Sequence, residues 1–284
     1  MSLLDRARVV YRWNPADYRP LFLDARRVGW VTHDLARRLG DFPKTILQSG
    51  ERLTLNPAIA GFQARSKALA ELHLELAASG HVRPPRGELY PLVRTWEELP
   101  ALAVDRALVP ALGLRSYGIH MNGFVRRPEG LFMWIGRRSA TKATAPGKLD
   151  HLVGGGQPLG LTPEANLVKE CAEEASIPEA LARQARPVGL VSYLCRFTDG
   201  QRDDVLWCYD LEVPPDFLPK PGDDEVEDFR FWPIEQVMER VAESEDFKFN
   251  VALVIVDFLI RHGLVGPRTP GYEEILHCLR SGGD

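Results

Sequence analysis

A glycine-rich stretch, Gly154-Gly155-Gly156-Gln157-Pro158-Leu159-Gly160, leads into a helix-forming run at 162–176, and that junction limits the fold more than any other part of the 284-residue chain. Thr162 is a good N-cap residue, and Pro163 suits the first helical position. On the helix Glu170, Glu173 and Glu174 stand at i, i+3 and i+4, so three carboxylates share one face, while Leu167, Val168, Cys171 and Ala175 supply a buried one. Like charges at that spacing oppose a helix by about 0.2–0.5 kcal/mol per pair, so the face calls for a cation. Carboxylates on a rigid helix beside glycine carbonyls suit Mg²⁺, or Mn²⁺, carrying phosphate oxygens. The alternative is a solvated acidic face.

Charge and apolar content narrow the class. The chain carries 35 Lys and Arg against 39 Asp and Glu, a formal charge of −4, and 45% hydrophobic residues, enough for an ordinary core. Residues 1–150 hold 23 Lys/Arg and 14 Asp/Glu, whereas 151–284 hold 12 and 25, so the two halves are expected to do different chemical jobs. The arginines are dispersed in pairs such as Arg26-Arg27 and Arg126-Arg127, which makes no nucleic-acid stripe. The run from Val251 to Ile260 is cut by Asp257 and is too short to cross a bilayer, and the first residues have no apolar signal core. The expectation is a soluble, cytoplasmic protein with no nucleic-acid or membrane partner. Cys171, Cys195, Cys208 and Cys278 lack metal-site spacing and are expected to be reduced and buried.

Patterning divides the chain into an N-terminal α+β unit, 1–112, and a mixed-sheet α/β unit, 113–284. The first unit is expected to contain a hairpin around Asp24, a short helix at 33–39, an amphipathic helix at 61–79, a short strand within 91–100 and a helix at 101–112. In the second, strands are expected at 119–126, 131–137, 188–197, 205–213 and 229–232, with a turn at Thr198-Asp199-Gly200-Gln201 and a closing helix at 250–262.

The glycine-to-helix segment resembles the Nudix box, whose pattern is Gly, five residues, Glu, seven residues, then Arg-Glu-apolar-any-Glu-Glu-any-Gly-apolar. Aligned with it, the glycine is Gly155, the core carboxylates are Glu170, Glu173 and Glu174, and the last apolar residue is Ile177. Leu161, Lys169 and Ser176 stand where the pattern has Glu, Arg and Gly. Further segments, among them Trp134 to Ser139, Pro146 to Asp150, Asp257 to Gly263, Arg86 to Pro91 and Tyr117 to Gly123, resemble a Nudix subgroup with an extra N-terminal domain. That subgroup is related to thiamine pyrophosphokinase in fungi and has chloroplast versions in plants. Its members commonly carry an apolar residue, Lys and Glu-Cys where this chain has Leu161, Lys169 and Glu170-Cys171.

The resemblance implies a Nudix mixed-sheet α/β/α sandwich behind a small N-terminal α+β domain. It also implies Mg²⁺-dependent hydrolysis of a diphosphate linked to an organic moiety: thiamine diphosphate or its oxo and oxy analogues, with ADP-ribose, NADH or coenzyme A as the alternative. A non-catalytic ligand-binding module is the reading from another class. Under the resemblance the metal is held by Gly155, Glu170, Glu173 and Glu174. The proton is removed by a carboxylate of the acidic loop, Glu225 before Glu227, or by Glu173. Arg137, Arg138, Lys142 and Lys148 offer donors to phosphate oxygens, and His120 and Asn122 are candidate substrate contacts. The partner is a small-molecule diphosphate, and the chain is compatible with a homodimer. Trp30, Trp96, Trp134, Tyr117 and Tyr193 are candidate stacking partners, although most aromatics are simply core.

Overall fold

The computed structural model describes residues 2–142, 144–197 and 200–282. A one-turn helix α1 (Leu3–Ala7), closed by a Ser2/Asp5 capping box, precedes the hairpin β1 (Tyr18–Leu23) and β2 (Arg26–Thr32). The hairpin turns at Asp24, as its charged residues predict, and runs into α2 (His33–Leu39), N-capped by Thr32. Strands β3 (Ile46–Ser49) and β4 (Arg52–Leu55) complete a sheet of order β2-β1-β4-β3, against which α3 (Phe62–Ala78) buries Leu69, Leu72 and Leu76. The strand expected within 91–100 lies earlier, as β5 (Leu89–Pro91), paired with β6 (Ala103–Asp105). The helix expected at 101–112 shrinks to α4 (Val109–Leu112). Asp105 accounts for the difference: its carboxylate accepts the backbone N–H groups of Arg86, Gly87 and Ala107, an alternative to helical pairing.

The second unit centres on β7 (Arg115–Arg127) and β8 (Gly130–Arg138), the two strands expected around the Pro128 turn. Short β9 (Leu149–Asp150) lies on β8, and β10 (Val153–Gly156) lies on the first half of β7, so the glycine run is itself a strand. Helix α5 (Pro163–Ala175) follows, N-capped by Thr162, then α6 (Glu179–Ala182). Strands β11 (Arg186–Phe197), β12 (Gly200–Glu212) and β13 (Val226–Pro233) give the order β11-β12-β7-β8-β13. Thr198-Asp199 of the predicted turn lie outside the described residues. The chain closes with α7 (Ile234–Glu243), α8 (Phe249–Arg261) and α9 (Tyr272–Cys278).

Alternation along β7 sends Ile119, Met121 and Val125 to the α5 side, where they pack with Leu167, Cys171 and Ala175. Phe124, with Val191, Leu206 and Cys208, goes to the α8 side. Helix α8 is buried along most of its length, so it reads as apolar nearly all round; its one acidic residue, Asp257, is matched by Arg261 and Arg280. Leu3, Ala7 and Val10 belong to this same core, because α1 packs on α7, α8 and α9. All four cysteines are free and buried, as expected. Among the described residues no helix is long and apolar enough to cross a membrane.

Candidate active site

A cavity of about 1000 Å³ opens over strand β10. Its three glycines are bare for three different reasons. A Cβ on Gly155 would stand 2.5 Å from Glu170 Cδ, one on Gly154 2.7 Å from His151 Cε1, and one on Gly156 would collide with the Tyr90 hydroxyl. Any side chain on Gly155 would therefore push Glu170 aside.

Helix α5 delivers the carboxylates unequally. Glu174 is buried, and its Oε2 accepts the Gly154 N–H at 2.8 Å. Burial pushes its carboxyl well above the usual range, and the nearby Asp150 adds to this. Burial also raises Glu170, against the pull of Lys169. Glu173 lies at the exposed rim of the cavity with Lys169, whose Nζ sits 2.6 Å from Glu173 Oε2 and 3.1 Å from Glu170 Oε1, the place the box gives to arginine. Among the described residues no three His, Cys, Asp or Glu side chains converge as a ready-made metal shell. The donor chemistry nevertheless fits a hard divalent ion. Glu170 and Glu174 are oxygen donors drawn out of water, Glu170 adds to the rise of the Glu174 carboxyl, and Glu170 rests on a glycine whose carbonyl nothing overhangs from a side chain of its own.

The acidic loop reaches the same cavity because Lys220 N donates to the Ala175 carbonyl and Gly222 packs against the Glu173 carbonyl, both at the end of α5. Asp223 and Glu225 line the cavity. Burial alone would raise the Glu225 carboxyl, but its ion pair with Lys142 outweighs this and brings it below the usual range. Glu227 instead pairs with Arg137 at 3.3 Å, and neither lines the cavity. Arg138 lines it, yet its guanidinium is spent on Asp150 at 2.8 Å and on the carbonyls of Thr144 and Ala145, so it braces the backbone there. Lys148 also lines the cavity and donates to the Glu245 carbonyl.

His120 and Asn122 sit two apart on β7 and part company. His120 is buried at the cavity wall, its Nδ1 bonded to His151 Nε2, and His151 Nδ1 lies 3.2 Å from Asp150. Burial holds both imidazoles neutral, lowering His151 to about 4. Asn122 does not reach the cavity; its amide donates to Asp210, which also takes Arg261 and His262. Of the aromatic candidates, Tyr117 and Tyr193 line the cavity, and Trp30, Trp96 and Trp134 do not.

Two lining residues, Tyr90 and Lys248, and His151 behind the wall formed by His120 were given no site role from sequence. Lys248 caps α8 beside Asp150, its ammonium has no hydrogen bond or ion pair within contact range among the described residues, and burial lowers its pKa. A lone lysine between Phe247 and Phe249 at a helix start was the available signal.

The pattern of the NUDIX domain family matches residues 117–252, and that of a Domain of unknown function (DUF4743) matches residues 3–116. Nudix hydrolase 24, chloroplastic, of Arabidopsis thaliana is 42% identical over 268 residues, covering 94% of this chain and 73% of the relative. Nudix hydrolase 20, chloroplastic, of the same plant is 39% identical over 274 residues, covering 93% and 73%. The crystal structure of DR0079 from Deinococcus radiodurans aligns with 60% of this chain and 98% of its own at 26% identity and a TM-score of 0.46. The names of the two plant relatives overturn the cytoplasmic expectation, which rested on the lack of an apolar signal core, a feature that speaks to secretion and not to an organelle. Helix α5 brings Glu170 and Glu174 onto the glycine strand at the spacing of the box, and the relatives match along nearly all of the chain: it belongs to the Nudix family and is a Nudix hydrolase.

Proposed function

We propose that the enzyme hydrolyses a diphosphate joined to an organic moiety, releasing the monophosphate and phosphate, with Mg²⁺ as its ion and Mn²⁺ as a substitute. The observation that carries this reading is the contact of Glu170 with bare Gly155 on the wall of a cavity that also holds Lys142, Lys248 and Glu225. Glu170, Glu174 and the Gly155 carbonyl would hold the ion, with Glu173 joining them only by leaving Lys169. When bound, such an ion neutralises phosphate charge and acidifies a water molecule. Glu225, kept ionised by Lys142, is the group suited to take the proton of the attacking water. Lys248 and Lys142 are the cations available to the diphosphate oxygens. The resemblance of Arg86 to Pro91, Tyr117 to Gly123 and the box substitutions to the thiamine-related subgroup supports thiamine diphosphate or its oxo and oxy analogues as substrate.

The test separates the products formed with Mg²⁺ from thiamine diphosphate, oxythiamine diphosphate, ADP-ribose, NADH, coenzyme A and nucleoside triphosphates, reading inorganic phosphate where the diphosphate is terminal and the two monophosphates where it joins two groups, alongside Glu174→Gln. A thiamine-type diphosphate is expected to be cleaved best, and the variant to lose on the order of a hundredfold in rate. Cleavage of none of these compounds, or a fully active Glu174→Gln, refutes the proposal.

A further inference from the structure

The N-terminal unit does not merely sit beside the catalytic one; it supplies a wall of its cavity. The Leu159 N–H donates to the Leu89 carbonyl at 2.8 Å, which ties β5 to the segment after the glycine strand. The next residue, Tyr90, lays its ring end against Gly156, one position from the glycine that accommodates Glu170. Its hydroxyl has no hydrogen-bond partner among the described residues, although Tyr90 is only 7% exposed and lines the cavity. Glu88 and Arg106 form an ion pair on the same wall, with the Arg106 guanidinium 5.7 Å from the centre of the Tyr90 ring. A wall that only had to close the cavity could be apolar. This one presents an unpaired hydroxyl, a carboxylate and a guanidinium side by side, a set that both donates and accepts hydrogen bonds.

We propose that Tyr90, Glu88 and Arg106 determine specificity by recognising the organic half of the substrate, and that this half is a polar ring or sugar with its own donors and acceptors, not an alkyl chain. The proposal rests on the hydrolase reading above and adds where the diphosphate's substituent lies: on the side of β10 that faces the N-terminal unit, with the metal carboxylates on the other. A site built to hydrogen-bond a substituent discriminates strongly against analogues lacking it, because its polar groups are then left unpaired.

The experiment measures kcat and KM for thiamine diphosphate, ADP-ribose, NADH, coenzyme A and butyl diphosphate with the parent, Tyr90→Phe, Arg106→Gln and Glu170→Gln. Calorimetry adds affinities for the products AMP and thiamine monophosphate, which need no turnover. Tyr90→Phe keeps the ring and strands no partner, so it is expected to fold. For the parent's best polar substrate, KM is expected to rise, and affinity for its monophosphate to fall, about five- to tenfold relative to butyl diphosphate, with the loss in KM and not kcat. Arg106→Gln is expected to shift the same ratio. Glu170→Gln instead lowers the cleavage rate of every probe, which separates the hydrolase reading from this one. Unchanged substrate ratios and product affinities in both wall variants of an active enzyme overturn the proposal.

Discussion

Gly155→Ala tests the geometry of the site most directly. Gly155 lies in the extended strand β10 and is not in the left-handed region, so alanine brings no backbone penalty and the whole effect comes from one methyl group. That methyl would stand 2.5 Å from Glu170 Cδ and 2.7 Å from its Oε1, whereas ordinary contact begins at 3.4 Å. The carboxyl must therefore retreat by about 0.9 Å, the difference between 2.5 and 3.4 Å. A catalytic group misplaced by about 1 Å can cost on the order of a hundredfold, which is the expected fall in kcat/KM. Overpacking costs about 1–3 kcal/mol, or some 2–4 °C of melting temperature per kcal/mol, so the variant remains folded. Phosphate release and thermal denaturation are measured together, with Gly266→Ala as the control, since its Cβ meets nothing within 4 Å. If Gly155→Ala keeps more than a third of parental activity, Glu170 is not held where the argument requires.

Other perturbations have equally definite signs. Ser176 ends α5 in the left-handed region at φ 52°, where the box has glycine, so Ser176→Gly should stabilise by about 1 kcal/mol and raise the melting temperature by about 2–4 °C; no rise would show that this cap carries no strain. Asp257 is buried and joined to Arg261 at 2.8 Å and Arg280 at 3.0 Å, so Asp257→Ala should lower the urea-derived stability by about 3–5 kcal/mol, and a loss under about 1 kcal/mol would refute its structural role. His151 is lowered to about 4 by burial, so between pH 6.5 and 4 the unfolded chain binds the extra proton and stability falls as pH falls, by up to about 3 kcal/mol. Comparing urea midpoints at pH 7 and pH 5, His151→Asn should flatten that fall, and equal pH slopes in parent and variant would exclude His151 as its source.

What could be read from sequence was what short-range spacing determines. The i, i+3, i+4 carboxylates, the Thr162 cap and the alternation in β7, β8, β11 and β12 each depend on neighbours within a few residues, and each is found in place. The helix expected at 101–112 failed because Asp105 bonds to backbone 18 and 19 residues upstream, which no local periodicity reports. The same limit explains the site. His120 and His151 are 31 positions apart, and Asn122 and Arg137 are drawn away by Asp210 and Glu227, which lie far along the chain. Glycine spacing pointed to Gly155, but the need for Gly156 came from Tyr90, in a different unit.

That dependence bears on whether the hydrolase unit can stand alone. Strand alternation puts Gly154 and Gly156 on one face of β10 and Gly155 on the other, and the three are covered by the His120/His151 pair, Tyr90 and Glu170 respectively. Removing residues 1–112 would uncover Gly156 and the cavity wall, and it would also take Leu3, Ala7 and Val10 out of the core they share with Val254, Phe258 and Ile275. Losing a buried aliphatic side chain costs about 2–5 kcal/mol for a leucine and less for smaller ones, so these three together approach the roughly 5–15 kcal/mol that holds a typical domain folded. A fragment of residues 113–284 is therefore expected to show no cooperative thermal transition and little near-ultraviolet dichroism. A fragment that melts cooperatively at the temperature of the full chain would mean that the N-terminal unit is an appendage, and that α1 and Tyr90 merely rest against a hydrolase already complete.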